Sequence, residues 1–321
     1  MTITIQYLTD IDLNEIILPT SSLVPDLQNT SQPTWLVLKE QQLVASASIW
    51  LDDKNQTAML GNYFEINNDF GIELLNHICQ HLQQQGFDKV IGPMNGDTWH
   101  SYRLVTHTDN SPAFFSEYCT PPSWANTFYD SGFDVIGEYC SAITSNLIYQ
   151  DSSANKFAAK LASLGLRIRS FNKQLADKDL SAIHQLSLTS FANNYLYSPI
   201  SLELFLSLYN KIVPYVDEEF FLLVEDQEKL VGYIFAIPDY NQKAAGHKID
   251  SLIIKTLAKY PDRKYAGLGN YLAHHIHQLA ANQGYNNVIH ALMHKNNVSK
   301  VISEKSATIF RKYALYGKNL A

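Results

Sequence analysis

The spacing of apolar and polar positions predicts a strand, a loop and a helix in the last third of the chain. Residues 250–258 form a β-branched, apolar run that is typical of a strand. Residues 270–283 carry apolar side chains at helical spacing. Between them lies the segment Lys264-Tyr-Ala-Gly-Leu-Gly. The chain therefore runs from a strand through a glycine loop directly into a helix.

The glycine loop predicts an anion site, because the first N–H groups of a helix lack partners within it and carry partial positive charge. A glycine at this place is also a common cap or tight turn. The third position of a dinucleotide fingerprint is Leu272, and no P-loop Gly-Lys-Ser/Thr follows, so both common nucleotide folds are disfavoured. The strand upstream favours a phosphate-bearing cofactor.

The two halves of the sequence repeat each other. Residues 35–49 and 221–235 share the pattern of a two-stranded hairpin around a polar turn. Residues 71–94 align without a gap on residues 269–292, each as a helix, a glycine and a strand. We infer a tandem duplication.

Each half also begins in the same way, with a strand at residues 2–8 or 166–171 and then a helix-like stretch from Asp10 or near Asp177. This order of elements predicts a mixed α/β domain that occurs twice. The predicted domains are residues 1–150 and 163–321, with the boundary around residues 150–162.

Composition excludes several classes of protein. The 321 residues are 46% hydrophobic and 12% aromatic, as in a globular protein, and the net charge of −7 provides no basic stripe for nucleic acid. The three cysteines are far apart and indicate neither a disulfide framework nor a thiolate zinc site. No signal peptide and no apolar run long enough to cross a membrane are evident. We expect a cytoplasmic protein, monomeric or homodimeric.

The element order and the glycine loop resemble the GNAT superfamily of acyl-CoA N-acyltransferases. In that family the fourth strand leads into an Arg/Gln-x-x-Gly-x-Gly/Ala loop that binds the CoA diphosphate, and Lys264 stands at the Arg/Gln position. The resemblance implies an α/β (mixed α+β) fold of two tandem GNAT-like domains, each a central mixed β-sheet flanked by helices. It also implies acetyl-CoA as co-substrate and a small-molecule or peptide amine as acceptor.

The resemblance implies a set of cofactor-binding residues in the second half. They lie on the fourth strand, in the glycine loop and at the start of a family-like Asn-x-x-Ala helix. They are Lys255, Thr256, Leu257, Lys264, Tyr265, Ala266, Gly267, Leu268, Gly269, Asn270 and Asn296.

The candidates for proton transfer depart from the family pattern. Ser303 occupies the position of the tyrosine that protonates the departing CoA thiolate, and a serine is a far poorer acid. Tyr313 and Tyr316 are possible substitutes, although their spacing is equally typical of packing or of a strand. His290 on the fifth strand is the candidate base, with a neutral packed histidine as the alternative. The rival to an enzyme is therefore a non-catalytic CoA-binding or ligand-sensing tandem module.

The first half is further from the family. Asp69 aligns with Gly267 and would place a carboxylate beside a diphosphate, while Phe128 fills the tyrosine position and donates no proton. We expect a structural or substrate-shaping half.

Acceptor residues are predicted on the segment that covers the acceptor site in the family. The candidates are Tyr195, Tyr197 and Asp239, with Glu203 as a further acid and loop anchoring as the alternative role for the tyrosines. The pairs His77/His81 and His290/His294 are four residues apart, but no His-Glu-x-x-His motif or acidic third ligand accompanies them. We expect no metal site.

Overall fold

The computed structural model describes residues 3–296 and 307–320, which form two compact units. Unit 1 contains residues 3–110, 118–138 and 311–320, and unit 2 contains residues 111–117, 139–296 and 307–310. Each unit combines segments that are distant in sequence.

The described strands and α-helices are, in chain order, β1 (Ile3–Tyr7), β2 (Thr34–Lys39), β3 (Gln42–Asp52), β4 (Thr57–Glu65), α1 (Asn68–Gln84), β5 (Lys89–Gly92), β6 (Leu104–Thr108), α2 (Ser123–Asp130), β7 (Asp134–Thr144), α3 (Ser152–Leu164), β8 (Leu166–Ser170), α4 (Ala176–Ser190), α5 (Leu202–Tyr209), β9 (Phe221–Asp226), β10 (Lys229–Pro238), α6 (Tyr240–Ala244), β11 (Ser251–Lys259), α7 (Leu268–Asn282), β12 (Asn287–His294) and β13 (Thr308–Asn319). Short 3-10 turns connect several of them.

The sheet of unit 1 has the strand order β1-β2-β3-β4-β5-β13, and β6 also pairs with β13. Among its described strands only β4 and β5 are parallel, with Thr57 opposite Lys89 and Met59 opposite Ile91. The parallel pair is joined by α1, as a parallel connection requires.

The sheet of unit 2 has the strand order β7-β12-β11-β10-β9-β8. Among these described strands only β11 and β12 are parallel, and they are the fourth and fifth strands of the repeat. Helix α7 connects β11 to β12. Both units therefore contain the same succession of antiparallel strands followed by one parallel pair, which confirms the predicted fold of two domains with mixed sheets.

The last strand of each half of the sequence completes the sheet of the other half. Residues 139–144 of β7 pair with β12 in unit 2. Residues 311–319 of β13 pair with β5 and β6 in unit 1, and Tyr316 lies opposite Gly92. The halves of the sequence have thus exchanged strands.

In each core, the helix that joins the two parallel strands packs an apolar stripe against the sheet. In unit 2, α7 buries Leu268, Leu272, Ile276 and Ala280, which recur every four residues and form one stripe. In unit 1, α1 buries Leu74, Leu75, Ile78 and Leu82 in the same way. Full burial of each leucine or isoleucine contributes about 1.5–3 kcal/mol.

The strand and the helix predicted on either side of the glycine loop are confirmed. The helix-like stretch predicted from Asp10, in contrast, is not an α-helix. It contains two 3-10 turns, Leu8–Asp10 and Leu13–Glu15. Three prolines, Pro19, Pro25 and Pro33, follow at short intervals and remove the N–H groups that a longer helix needs. Within the described parts of the chain, no helix is both long and apolar enough to cross a bilayer.

Candidate functional site

The two parallel strands of unit 2 separate at their carboxyl ends. Their register runs from Ser251 opposite Asn287 to Ile254 opposite His290. On β12 the pairing with β7 shifts after His290, and Leu292 has a φ of 59°, so the strand bends there. The backbone beyond Ile254 and His290 therefore opens between the strands.

A cavity of about 460 Å³ occupies this opening. It is lined by both separated strands, by the start of α7 and by the end of α4 with the loop after it. The lining residues are Ser190, Phe191, Asn194, Ile254, Lys255, Thr256, Leu257, Lys259, Pro261, Gly267, Gly269, Asn270, Ala273, His290, Ala291, Leu292 and Met293. Its charged residues are the two lysines, which gives the cavity a positive charge.

The glycine loop forms one end of the cavity. Gly267 has a φ of 96° and precedes α7, which begins without a side-chain cap. A Cβ at Gly267 would lie 3.2 Å from Cδ2 of Phe157, so the backbone there is both left-handed and tightly packed. The N–H groups of the first helical turn have no acceptor within the helix. This end of the cavity is suited to an anion.

Helix α3 supports the glycine loop, although its residues fall in the boundary that the sequence predicts between the domains. Ser153 Oγ accepts a hydrogen bond from Nδ2 of Asn270 at 2.9 Å. Lys160 Nζ donates to the carbonyl oxygen of Lys264 at 3.0 Å. The signal for this helix is present in the sequence, because Asp151 caps its first turn at 2.8 and 3.2 Å and Ala154 and Phe157 follow at helical spacing.

Not all the predicted cofactor residues line the cavity. Lys264 forms an ion pair with Asp226, and the hydroxyl of Tyr265 donates to the same carboxylate at 2.7 Å. Leu268 is buried in the core, and Ala266 is exposed at the surface. The loop lysine is therefore held away from the cavity, whereas the other predicted residues on β11 and at the glycines line it. The predicted residues in the lining are Lys255, Thr256, Leu257, Gly267, Gly269 and Asn270.

Asn296 is exposed, and its N–H donates to Nδ1 of His294 at 3.2 Å. Ser303, the candidate at the family's tyrosine position, lies outside the described residues.

His290 lines the cavity at the point where the strands separate. Its Nε2 lies 2.9 Å from Nε2 of His277 on α7. Burial lowers the pKa of His290 to about 4. Burial, followed by the nearby His290 and His274, lowers the pKa of His277 to about 3. Both imidazoles are therefore neutral at pH 7. The sequence analysis did not identify His277 as a site residue.

Tyr313 and Tyr316 belong to unit 1, whereas the cavity is lined by residues of unit 2. Both lie on β13, where Tyr313 is opposite Val105 and Tyr316 is opposite Gly92. Both are almost fully buried, and burial raises the pKa of Tyr316. The two tyrosines are thus packed within a strand, which is the alternative that the sequence offered for this segment.

The predicted acceptor residues Tyr195, Tyr197 and Asp239 are not among the residues that line the cavity. The ring of Tyr195 stacks on His294 with centroids 5.8 Å apart, while Phe191 and Asn194 from the same segment line the cavity. Tyr197 is partly buried. Asp239 caps α6 and accepts from the N–H of Phe115 at 2.9 Å, as an anchoring residue does.

Glu203 lies in the first turn of α5, which Ser201 caps by accepting from the N–H of Leu204 at 3.2 Å. The carboxylate is therefore well placed to stabilise the positive end of this helix.

The corresponding opening in unit 1 is closed. Beyond Met59 and Ile91 the N–H of Met94 donates to the carbonyl of Leu60 at 2.7 Å. The N–H of Asn62 then donates to Oδ1 of Asn95 at 2.8 Å, and Nδ2 of Asn95 donates back to Oδ1 of Asn62 at 2.9 Å. This pair of amides, the Asn62–Asn95 clasp, joins the two strands where those of unit 2 separate.

The loop before the helix also differs in unit 1. Residues 66–70, which precede Gly71, are four fewer than residues 260–268, which precede Gly269. The carboxyl group of Glu65 lies against this helix start and accepts from Tyr63 at 2.5 Å and from Thr127 at 2.6 Å. A Cβ at Gly71 would lie 1.7 Å from Oε2 of Glu65. A side-chain carboxyl thus fills the space next to the first turn of α1, which contains Asp69.

Solved structures with a similar fold include N-acetyltransferases. A GCN5-related N-acetyltransferase from Sphaerobacter thermophilus matches with a TM-score of 0.53 at 13% identity, over 92% of this chain and 84% of that chain. A tandem GNAT protein from the clavulanic acid biosynthesis pathway, solved without AcCoA, matches with a TM-score of 0.51 at 12% identity, over 91% and 83%.

A GCN5-related glucosamine N-acetyltransferase region of a fungal multi-domain GH3 β-N-acetylglucosaminidase matches with a TM-score of 0.58 at 12% identity. It covers 99% of this chain and 38% of that chain. The sequence matches no protein-family model and has no significant match among curated proteins. At these identities the likeness establishes the fold, which is the tandem GNAT fold.

Proposed function

We propose that this protein with a tandem GNAT fold is an acyl-CoA-dependent N-acyltransferase, and that its active site is the cavity of unit 2. The observation that carries the proposal is the opening between β11 and β12, which continues to the uncapped start of α7 at Gly267 and Gly269. An extended thioester arm fits between the separated strands, because the edges of β11 and β12 that face each other are not paired beyond Ile254 and His290. A diphosphate fits at the helix start.

The cations of the proposed site come from two elements, β11 and α3. Lys255 and Lys259 on β11 line the cavity, and Lys160 on α3 lies at the glycine loop. Lys264, which stands at the family's Arg/Gln position, is paired with Asp226 instead. Lys160, which donates to the carbonyl oxygen of Lys264, therefore replaces that lysine as the proposed cation of the glycine loop.

The reaction is direct attack of an amine on the thioester carbonyl of acetyl-CoA. The nitrogen–carbon bond forms, the carbon–sulfur bond breaks, and the amine loses a proton while CoA leaves as the thiol or thiolate. Phe191, Asn194 and Met293 border the cavity beyond the strand opening and supply an apolar and neutral polar surface for the acceptor. The acceptor class is a small-molecule or peptide amine.

A CoA-binding module without turnover is the second candidate. It is favoured by the lining itself, because the described residues that border the cavity include no carboxylate, and its one imidazole has a pKa lowered to about 4. Such a group is a weak base. Binding of acetyl-CoA is common to both candidates, and release of thiol in the presence of amines distinguishes them.

Isothermal titration with acetyl-CoA tests the site. We expect one site per chain, in unit 2, and loss of binding in Gly267→Asp, which adds a carboxylate at the helix start. Gly284→Asp is the matched control, since Gly284 has a φ of 79°, follows the other end of α7 and leaves open space for 4 Å around an added Cβ. Equal affinity in the two variants would refute the diphosphate assignment, and two sites would refute the closure of unit 1.

A further inference from the structure

His290 and His277 form a buried pair at the wall of the cavity. His277 is 0% exposed and His290 is 6% exposed, and their Nε2 atoms are 2.9 Å apart with the rings nearly perpendicular. Because Nε2 of His290 is engaged with His277, the ring nitrogen that His290 can offer to the cavity is Nδ1. The pair therefore determines which hydrogen-bonding group faces the proposed thioester.

The tautomers follow from the surroundings of His277. Among the residues that the structure describes, Nδ1 of His277 is buried and has no hydrogen-bond partner. A proton on that nitrogen would be a buried donor without an acceptor, which is rarer in proteins than an unpaired acceptor. His277 therefore carries its proton on Nε2 and donates it to Nε2 of His290. A neutral His290 then carries its own proton on Nδ1.

The groups around the pair keep both rings neutral. His274 lies on the same face of α7, and the ring of Tyr149 packs edge-on against His274 and His277 at 5.0 and 5.4 Å. Lys255 and Lys259 border the same cavity as His290. Burial disfavours a positive charge on either ring and lowers both pKa values, and at His277 the nearby His290 and His274 add to this effect.

We propose that His290 is a hydrogen-bond donor, through Nδ1–H, to the negative charge that develops on the thioester, and that His277 is the positioning residue that fixes this tautomer. The inference rests on the proposed function. When the amine nitrogen attacks, the electrons of the carbonyl move to oxygen and then expel the thiolate. The donor shares its proton with this charge and does not remove a proton from the amine. Its role is thus the opposite of the base expected from the sequence.

Nitrogen NMR of the protein labelled with 15N-histidine tests the tautomer without any acyl donor. The signals of His290 are identified by their absence from the spectrum of His290→Asn. We expect the Nδ1–H tautomer and no titration between pH 5.5 and pH 8. An Nε2–H tautomer, or a titration near the ordinary histidine value, would overturn the proposal even if the protein turns over acetyl-CoA.

Kinetics test the role. Loss of one donor to a developing oxyanion lowers kcat by about 10²–10³-fold, so His290→Ala should show this loss with little change in KM for acetyl-CoA. His290→Asn retains an N–H and should recover part of kcat with an unchanged pH profile. Equal loss in both variants, together with disappearance of the acidic limb of kcat/KM, would identify a base and overturn the proposal.

The positioning role of His277 has a separate control. His277→Gln keeps an N–H donor toward His290, whereas His277→Leu has none. We expect kcat of His277→Gln to lie well above that of His277→Leu, and the NMR signals of His290 to keep the Nδ1–H tautomer only in His277→Gln. Identical kcat values and identical tautomers in the two variants would overturn this part.

Discussion

Glu65 should make the stability of unit 1 fall as the pH rises. The residue is 4% exposed, and its carboxyl group lies among Tyr63, Thr127 and the start of α1. Burial raises its pKa from 4.5 to about 7, although the hydroxyl groups of Thr127 and Tyr63 act in the opposite direction. The folded state therefore holds this proton more tightly than the unfolded state. Its contribution is complete below pH 4.5 and is lost as the pH rises toward 7.

The size of the effect follows from the two pKa values. With 1.36 kcal/mol per pKa unit, the contribution of Glu65 to the free energy of unfolding falls by about 2.5 kcal/mol between pH 5 and pH 8. Glu65→Gln does not titrate and removes this dependence. Glu73→Gln is the control, because it makes the same chemical substitution at an exposed position of α1.

Tryptophan fluorescence makes the assay specific for unit 1. All four tryptophans, Trp35, Trp50, Trp99 and Trp124, belong to that unit, and Trp124 packs edge-on against Tyr63 at 5.4 Å. Urea unfolding at pH 5 and pH 8 then gives the free energy for wild type and variants. We expect wild type and Glu73→Gln to lose about 2.5 kcal/mol more than Glu65→Gln. Parallel pH dependence in all three proteins would refute the reasoning.

Three further predictions concern single positions. Gly71→Ala should destabilise unit 1 by about 1–3 kcal/mol in the same fluorescence assay, although alanine favours a helix, because the Cβ would overlap Glu65; higher stability would contradict this. Asn95→Ala should cost about 1–3 kcal/mol by leaving the N–H of Asn62 without its acceptor, and the stoichiometry of acetyl-CoA in titration should stay at one. Lys160→Met should weaken acetyl-CoA binding about 3- to 10-fold and reduce its salt dependence, and an unchanged affinity at low salt would exclude this lysine from the site.

Sequence patterns predicted the local elements of this fold well. The hairpins became β2 with β3 and β9 with β10, and the strand, glycine loop and helix became β11, Gly267 and α7. Period and turn residues act over a few neighbours, so they are visible in the sequence alone. The prediction of a helix-like stretch from Asp10 was wrong, because the prolines that follow it do not allow a longer helix.

The pairing of distant segments was not predictable in this way. Tyr313 and Tyr316 look alike in the sequence whether β13 joins one sheet or the other, because the choice depends on packing across the whole chain. The His277–His290 contact joins a helix to a strand, and although His290 was singled out in the sequence, nothing there connects it to His277. Lys264 stands at the Arg/Gln position of the family loop, but the sequence does not show that it pairs with Asp226, which lies 38 residues earlier at the end of β9.

The exchanged strands have a consequence for the order of events during synthesis. The partner of β5, the segment that contains Tyr316, is made long after Gly92. Until then the ribosome-bound chain presents β5 as an unpaired sheet edge, which is a template for aggregation and a target for chaperones. The strand pairs described above for unit 2, by contrast, lie between residues 139 and 294. We therefore expect unit 2 to fold first on the ribosome, and prematurely terminated chains to be recognised by the incomplete sheet of unit 1.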